Sequence, residues 1–190
     1  MMRQVLGFVA FLVVVFVAAG VGGVASAAGV RDWYPSLAKP AWTPPAWVFG
    51  PAWTALYLCM ATAGFLAWRK GGWAGARPAL ALFALQLVLN AAWSWVFFGL
   101  RRPGLALAEI VVLWVAVLAT TAALLRVTRP AAWLFVPYLL WITYAAALNF
   151  AIWRMNRPAP HVQQSVRTGL LLLAEDRPSE AVTFRAAGSQ

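Results

Sequence analysis

Gln86, Asn90, Trp93 and Phe97 stand four, three and four positions apart, which puts two amides and two rings on one side of a helix. An amide set among rings can orient a ligand by hydrogen bonding while the rings hold it by stacking and apolar burial. The chemistry this favours is non-covalent recognition of a flat, mostly apolar molecule. The plainer alternative is an interhelical hydrogen bond, which suits Gln86 best; Asn90, beside Trp93 and Phe97, reads as a polar anchor in an aromatic pocket. A second run carries Trp53, Tyr57, Met60 and Gly64 on one face. A third carries Trp141, Ala145 and Leu148, with Tyr138 and Asn149 beside them. Small residues such as Gly50 and Ala145 next to large rings leave room for a flat ligand, while the competing reading has the rings fill a core or an interfacial belt.

Reactive constellations are missing from the same runs. Glu109 is the only acid inside an apolar segment, and Ser94 has no histidine partner, so neither acid–base nor nucleophilic catalysis is expected. The one histidine, His161, sits in a polar tail, and the one cysteine, Cys59, lies in an apolar run. No metal site, disulfide framework or required cofactor follows from them. A proton pump would need several intramembrane ionisable groups, and a nucleotide enzyme a glycine-rich loop after a strand. The pattern is that of a binder or conduit.

The elements that must position these residues are membrane helices. Apolar residues make up 63% of the chain, charged residues 11%, and the mean hydropathy is +0.75. Five segments, at about 5–28, 48–68, 78–100, 104–125 and 131–153, are long enough to cross a bilayer core, which needs roughly 20 apolar residues. The expected fold is an all-α bundle of five transmembrane helices, joined mostly by short links and so up-and-down, with no internal repeat. The first segment resembles a signal peptide, with Arg3 ahead of it and Ala25-Ser26-Ala27 as a cleavage site, but its uncharged length favours a retained helix. Ala18, Ala19, Gly22 and Gly23 form two small-xxx-small pairs, read as helix packing.

Fifteen Lys and Arg face five acids, a net charge of +10. Most of the basic residues flank apolar runs, as suits lipid head groups, so membrane lipid and not nucleic acid is the expected partner. Six basic residues on each side of the bundle leave its orientation open. An excess of Arg and Ala over Lys points to a GC-rich genome and so to a bacterial cell membrane. Trp68, Trp73, Trp133 and Trp153 near segment ends, and Trp33, are assigned to an interfacial belt or to loop packing. Residues 157–190 are expected to form a polar, disordered tail with one apolar patch at 170–174.

The loop WYPSLAKPAWTPPAW (33–47) runs through Val48 into FGPAWTALY (49–57). Its prolines Pro40, Pro44 and Pro45 stiffen it, and together with Trp33, Lys39 and Trp42 it reads as a lid over a pocket. With QLVLNAAW (86–93), Phe97-Phe98-Gly99, PYLLW (137–141), Leu148-Asn149 and Trp153-Arg154, this stretch resembles the translocator protein family. That family comprises the bacterial tryptophan-rich sensory proteins and their mitochondrial relative, the peripheral benzodiazepine receptor. The resemblance covers the first helix to about Asn156. It implies a five-helix bundle, commonly a homodimer, with a cavity beneath the first loop that takes porphyrins such as protoporphyrin IX and, in animals, sterols and synthetic ligands.

Carried over by position, the resemblance implies a cavity lined by Gly23, Ser26, Phe49, Gly50, Trp53, Asn90, Trp93, Trp141, Ala145 and Leu148; helical spacing adds Tyr57. A bound ring would place its propionates near Lys39, Arg31 or Asn90. Two departures stand out. The family's third-helix Gly-x-x-x-Gly falls on Ala81 and Leu85, and its sterol-motif Tyr is Phe150. The expected function is porphyrin binding for sensing, sequestration or transport. The alternatives are light-dependent porphyrin degradation with indoles as redox partners, and a structural partner protein without a small ligand.

Overall fold

The computed structural model describes residues 1–157; the tail and its 170–174 patch lie outside the described residues. Five helices form the bundle: α1 (Met2–Asp32), α2 (Ala46–Gly75), α3 (Arg77–Ser94), α4 (Pro103–Val127) and α5 (Arg129–Met155). No strand occurs among the described residues. All five are long and apolar enough to cross a membrane. All but α3 extend past their expected limits by two or more residues at one end at least, because helical backbone continues into the head-group zone where hydropathy falls. Around the bundle the helices neighbour one another in the order α1, α2, α5, α4, α3 and back to α1. The chain is an integral multi-pass membrane protein.

Proline marks the helix starts. Pro78, Pro103 and Pro130 occupy the first turns of α3, α4 and α5, where the missing N–H has no intrahelical partner to lose. The link expected to open at Arg69 is instead helical, and the chain turns at Gly72 with φ 61°. A Cβ there would meet nothing within 4 Å, so backbone conformation rather than space requires the glycine. Beyond Ser94, α3 continues as one π-helical turn (Trp95–Gly99), in which the Leu100 N–H donates to the Trp95 carbonyl at 2.8 Å. Arg101 then takes a left-handed φ of 53° before α4 begins.

The end of the bundle away from loop 1 is packed dry. Met60, Ala63 and Ala67 of α2, Val117 and Leu124 of α4, and Phe135 and Tyr138 of α5 are fully buried there or at its inner margin. Rings fill notches left by glycine: a Cβ on Gly64 would come within 2.7 Å of the Phe11 ring, and Gly7 lies directly against Trp68. At the loop 1 end, Trp153 packs the same way over Gly104. Trp73 and Trp133 are largely exposed at helix ends, as a membrane belt requires, whereas Trp33 rests on Phe97 at 5.6 Å between ring centroids. Apolar side chains of α1 such as Val9, Val13 and Val24 point outward, the arrangement that a lipid surround stabilises.

Candidate ligand-binding site

At the loop 1 end the five helices do not close on one another. They surround a cavity of about 540 Å³, a size typical of small-molecule sites at roughly 300–1,000 Å³. Ala19, Gly23 and Ser26 of α1 form one wall, and a Cβ on Gly23 would meet nothing within 4 Å. Gly22, one residue away, does the packing instead, against Ala91 and Ser94 of α3. Phe49, Trp53 and Tyr57 of α2 face Trp141, Ala145 and Leu148 of α5, and Asn90, Trp93 and Phe97 come from α3. Tyr34, Lys39, Thr43 and Pro44 of loop 1 form the roof.

The rings hold one another in place. Trp53 stacks on Tyr57 at 5.3 Å and meets Trp141 edge-on at 6.2 Å, and Trp141 meets Phe49 at 5.9 Å. Across the cavity Trp93 stacks on Phe97 at 5.1 Å. The Trp93 indole N–H donates to Asn149 Oδ1 at 3.2 Å, and Asn149 Nδ2 donates to the Pro103 carbonyl at 2.8 Å. One buried amide thereby fixes both the Trp93 ring and the start of α4.

Asn90 does the corresponding work on the floor. The Tyr57 hydroxyl donates to its Oδ1 at 2.8 Å, and its Nδ2 donates to the Tyr138 hydroxyl at 2.9 Å. Three helices are tied by one amide, which removes polar groups from contact with hydrocarbon. Gln86, one turn deeper, is fully buried and donates to Met60 Sδ at 3.9 Å, an interhelical contact and not a cavity one.

Charge is scarce and mostly engaged. The Lys39 ammonium donates to the carbonyls of Tyr34, Pro35 and Leu37 at 2.8, 3.3 and 2.8 Å and lies 4.9 Å from the Tyr34 ring centre. Its first task is thus to knot loop 1. Arg31 donates back to the Ala27 carbonyl on the exposed side and is not part of the lining. Burial, with Tyr144 close by, pushes the Tyr34 phenol above its ordinary value of 10, so the roof presents it as a neutral hydroxyl. Glu109 lies outside the lining; its carboxylate oxygens are buried without a hydrogen-bond partner. Among the described residues no group of three His, Cys, Asp or Glu side chains could hold a metal.

Of the residues expected at the site, Gly23, Ser26, Phe49, Trp53, Tyr57, Asn90, Trp93, Trp141, Ala145 and Leu148 share the lining, as do Lys39 and Pro44 of the loop. Gly50 does not. It faces outward, because the inner stripe of α2 runs through Ala46, Phe49, Trp53 and Tyr57 and leaves its neighbour a third of a turn away. Trp33, Pro40, Trp42 and Pro45 shape the loop without lining the cavity. The lining also includes Ile110 and Leu113 of α4, which carried no polar or aromatic signal, and Tyr144, which could have been found one helical turn past Trp141.

Residues 10–154 match the model of the TspO/MBR family. The chain is 43% identical over 130 residues to the tryptophan-rich protein TspO of Chlorobaculum tepidum, covering 65% of this chain and 79% of the relative. It is 41% identical over 153 residues to the tryptophan-rich protein TspO of Archaeoglobus fulgidus, covering 80% and 99%. To the human translocator protein it is 43% identical over 130 residues, covering 67% and 76%. A five-helix membrane bundle closed at one end, hollow at the other and roofed by an aromatic, proline-stiffened loop thus belongs to the TspO/MBR family.

Proposed function

We propose that the cavity binds a flat, largely apolar ring compound of the porphyrin class, for sensing, sequestration or transfer. The observation that carries this reading is the lining itself: three indoles, Trp53, Trp93 and Trp141, stand around an open space whose floor is a single hydrogen-bonded amide, Asn90. Ring faces and apolar walls supply affinity for a macrocycle, and the few polar groups set its orientation. The names translocator protein and tryptophan-rich sensory protein, carried by human and Cereibacter sphaeroides relatives, agree with carriage or sensing. Acidic ring substituents fit best at the roof, where the Lys39 charge lies, although that ammonium is shared with three carbonyls.

Titration of the detergent-solubilised chain with protoporphyrin IX tests the reading. Tryptophan fluorescence is expected to quench saturably, and Trp53→Ala/Trp93→Ala is expected to weaken binding at least tenfold. Saturable quenching that persists unchanged in the double variant would move the ligand to another site. The three lining indoles also support a second reading, light-dependent breakdown of the bound ring. Illuminated porphyrin spectra that decay identically with and without the protein would remove it.

A further inference from the structure

Loop 1 is built in two parts with unequal fastening. Its first part, from Trp33 to Lys39, is secured from three directions. The Lys39 ammonium gathers the carbonyls of Tyr34, Pro35 and Leu37. Trp33 and Tyr34 pack on Phe97 and Phe98 with ring centres 5.6 and 5.9 Å apart. Asn156, at the end of α5, brackets Ala38 as a neighbouring strand would: the Ala38 N–H donates to its Oδ1 at 3.0 Å, and its Nδ2 donates to the Ala38 carbonyl at 2.9 Å.

The second part, from Pro40 to Pro45, is a tight turn closed on itself. Thr43 donates through both its N–H and its hydroxyl to the Pro40 carbonyl, at 3.0 and 2.7 Å. Trp42 stands at its tip, half exposed, while Thr43 and Pro44 cover the cavity. What ties this turn to the bundle is Tyr144 of α5, whose hydroxyl donates to the Trp42 carbonyl at 3.2 Å and whose ring meets the Trp42 ring edge-on at 5.6 Å. Tyr144 also lines the cavity.

We infer that loop 1 is not a single lid but a fixed plug and a flap, hinged between Lys39 and Pro40, with Tyr144 as the positioning residue that latches the flap. The inference rests on the reading that the cavity takes a ligand, since a flap over a permanently empty space would gate nothing. An exposed neutral hydrogen bond and one ring contact are weak beside the bracket, the lysine knot and the packed rings of the plug. The flap therefore opens first, and a ligand that touches Tyr144 from below acts on the same side chain that holds the flap from the side.

The test has an arm that needs no ligand. In the full chain with Cys59→Ala, nitroxide pairs placed at Ala41 and Trp133, and separately at Ser36 and Trp133, report flap and plug against the far end of α5. Tyr144→Phe, which keeps the ring and removes the hydroxyl, is expected to broaden the Ala41 distance distribution and leave that of Ser36 narrow. Trp42→Ala should do the same by removing the ring contact. In stopped-flow mixing with protoporphyrin IX, Tyr144→Phe is expected to raise association and dissociation rates together, each roughly two- to tenfold, as loss of one latch bond allows. An unchanged Ala41 distribution, or equal broadening at Ser36, overturns the two-part lid; a rise in dissociation alone makes Tyr144 a ligand contact and overturns the latch. If the distances behave as expected and protoporphyrin IX does not bind, the porphyrin reading fails and the flap stands.

Discussion

The two ends of this bundle use the same five helices to opposite effect. Away from loop 1, alanines, glycines and interlocked rings bring the helices into contact, and residues such as Met60, Ala61, Ala63 and Phe135 are wholly buried. Towards loop 1, rings stand around a space and are steadied by amides, Asn90 for Tyr57 and Tyr138 and Asn149 for Trp93. In a membrane, lipid competes for apolar surface as well as any helix does, so close packing and hydrogen bonds decide where helices meet. The dry end carries the packing; the hollow end carries the polarity. A hollow is tolerable at one end because the other holds the helices together.

Substitutions can break that division, and the largest effect belongs to the dry end. Phe135→Ala is expected to lower unfolding stability by about 3–5 kcal/mol, the usual result of emptying a packed ring site. Denaturation in detergent, read by circular dichroism, checks it, and a loss below about 1 kcal/mol would mean that the dry end does not carry the packing. Filling the hollow should do the reverse. Gly23→Leu adds a side chain where a Cβ meets nothing, and replacing a mid-helix glycine gains up to about 1 kcal/mol of helix preference. Thermal stability should hold or rise slightly while porphyrin affinity falls at least tenfold; retained affinity would place the ligand away from this wall. The smallest effect is expected in the roof, where Pro44→Ala/Pro45→Ala should change ligand association a few-fold and leave the melting temperature within about 2 °C, since stiffness there is local. A melting temperature that drops with no change in association would make the prolines part of the bundle's framework.

Much of this architecture was legible in the chain. Apolar length alone revealed the five spans, and the i, i+3, i+7 spacing of Asn90, Trp93 and Phe97 picked out the face that turns inward. Periodicity works for α3 because costly amides mark the buried side. It was silent for α4, where Ile110 and Leu113 line the cavity but look like any lipid-facing residue of a uniformly apolar helix. Gly50 shows the limit of placing residues by small size or by resemblance, since neighbours on a helix diverge by about 100°. Lys39 shows another: a lone cation beside a pocket looked free for a ligand's acid groups, and folding spends its hydrogen bonds on three nearby carbonyls. The Asn156–Ala38 bracket joins residues 118 positions apart, a distance at which one sequence gives no sign of pairing.

The wide turn at the end of α3 has a consequence for chain length. On a regular helix two consecutive rings point about 100° apart. The π-helical turn at Trp95–Gly99 takes one residue more per turn, and both Phe97 and Phe98 reach the cavity lining. A chain one residue shorter at this point would return the turn to α-helical winding and swing the residues that follow by about 100° relative to α3. Loss of one codon here is therefore a way to re-aim a ring pair that lines the hollow without rethreading any helix.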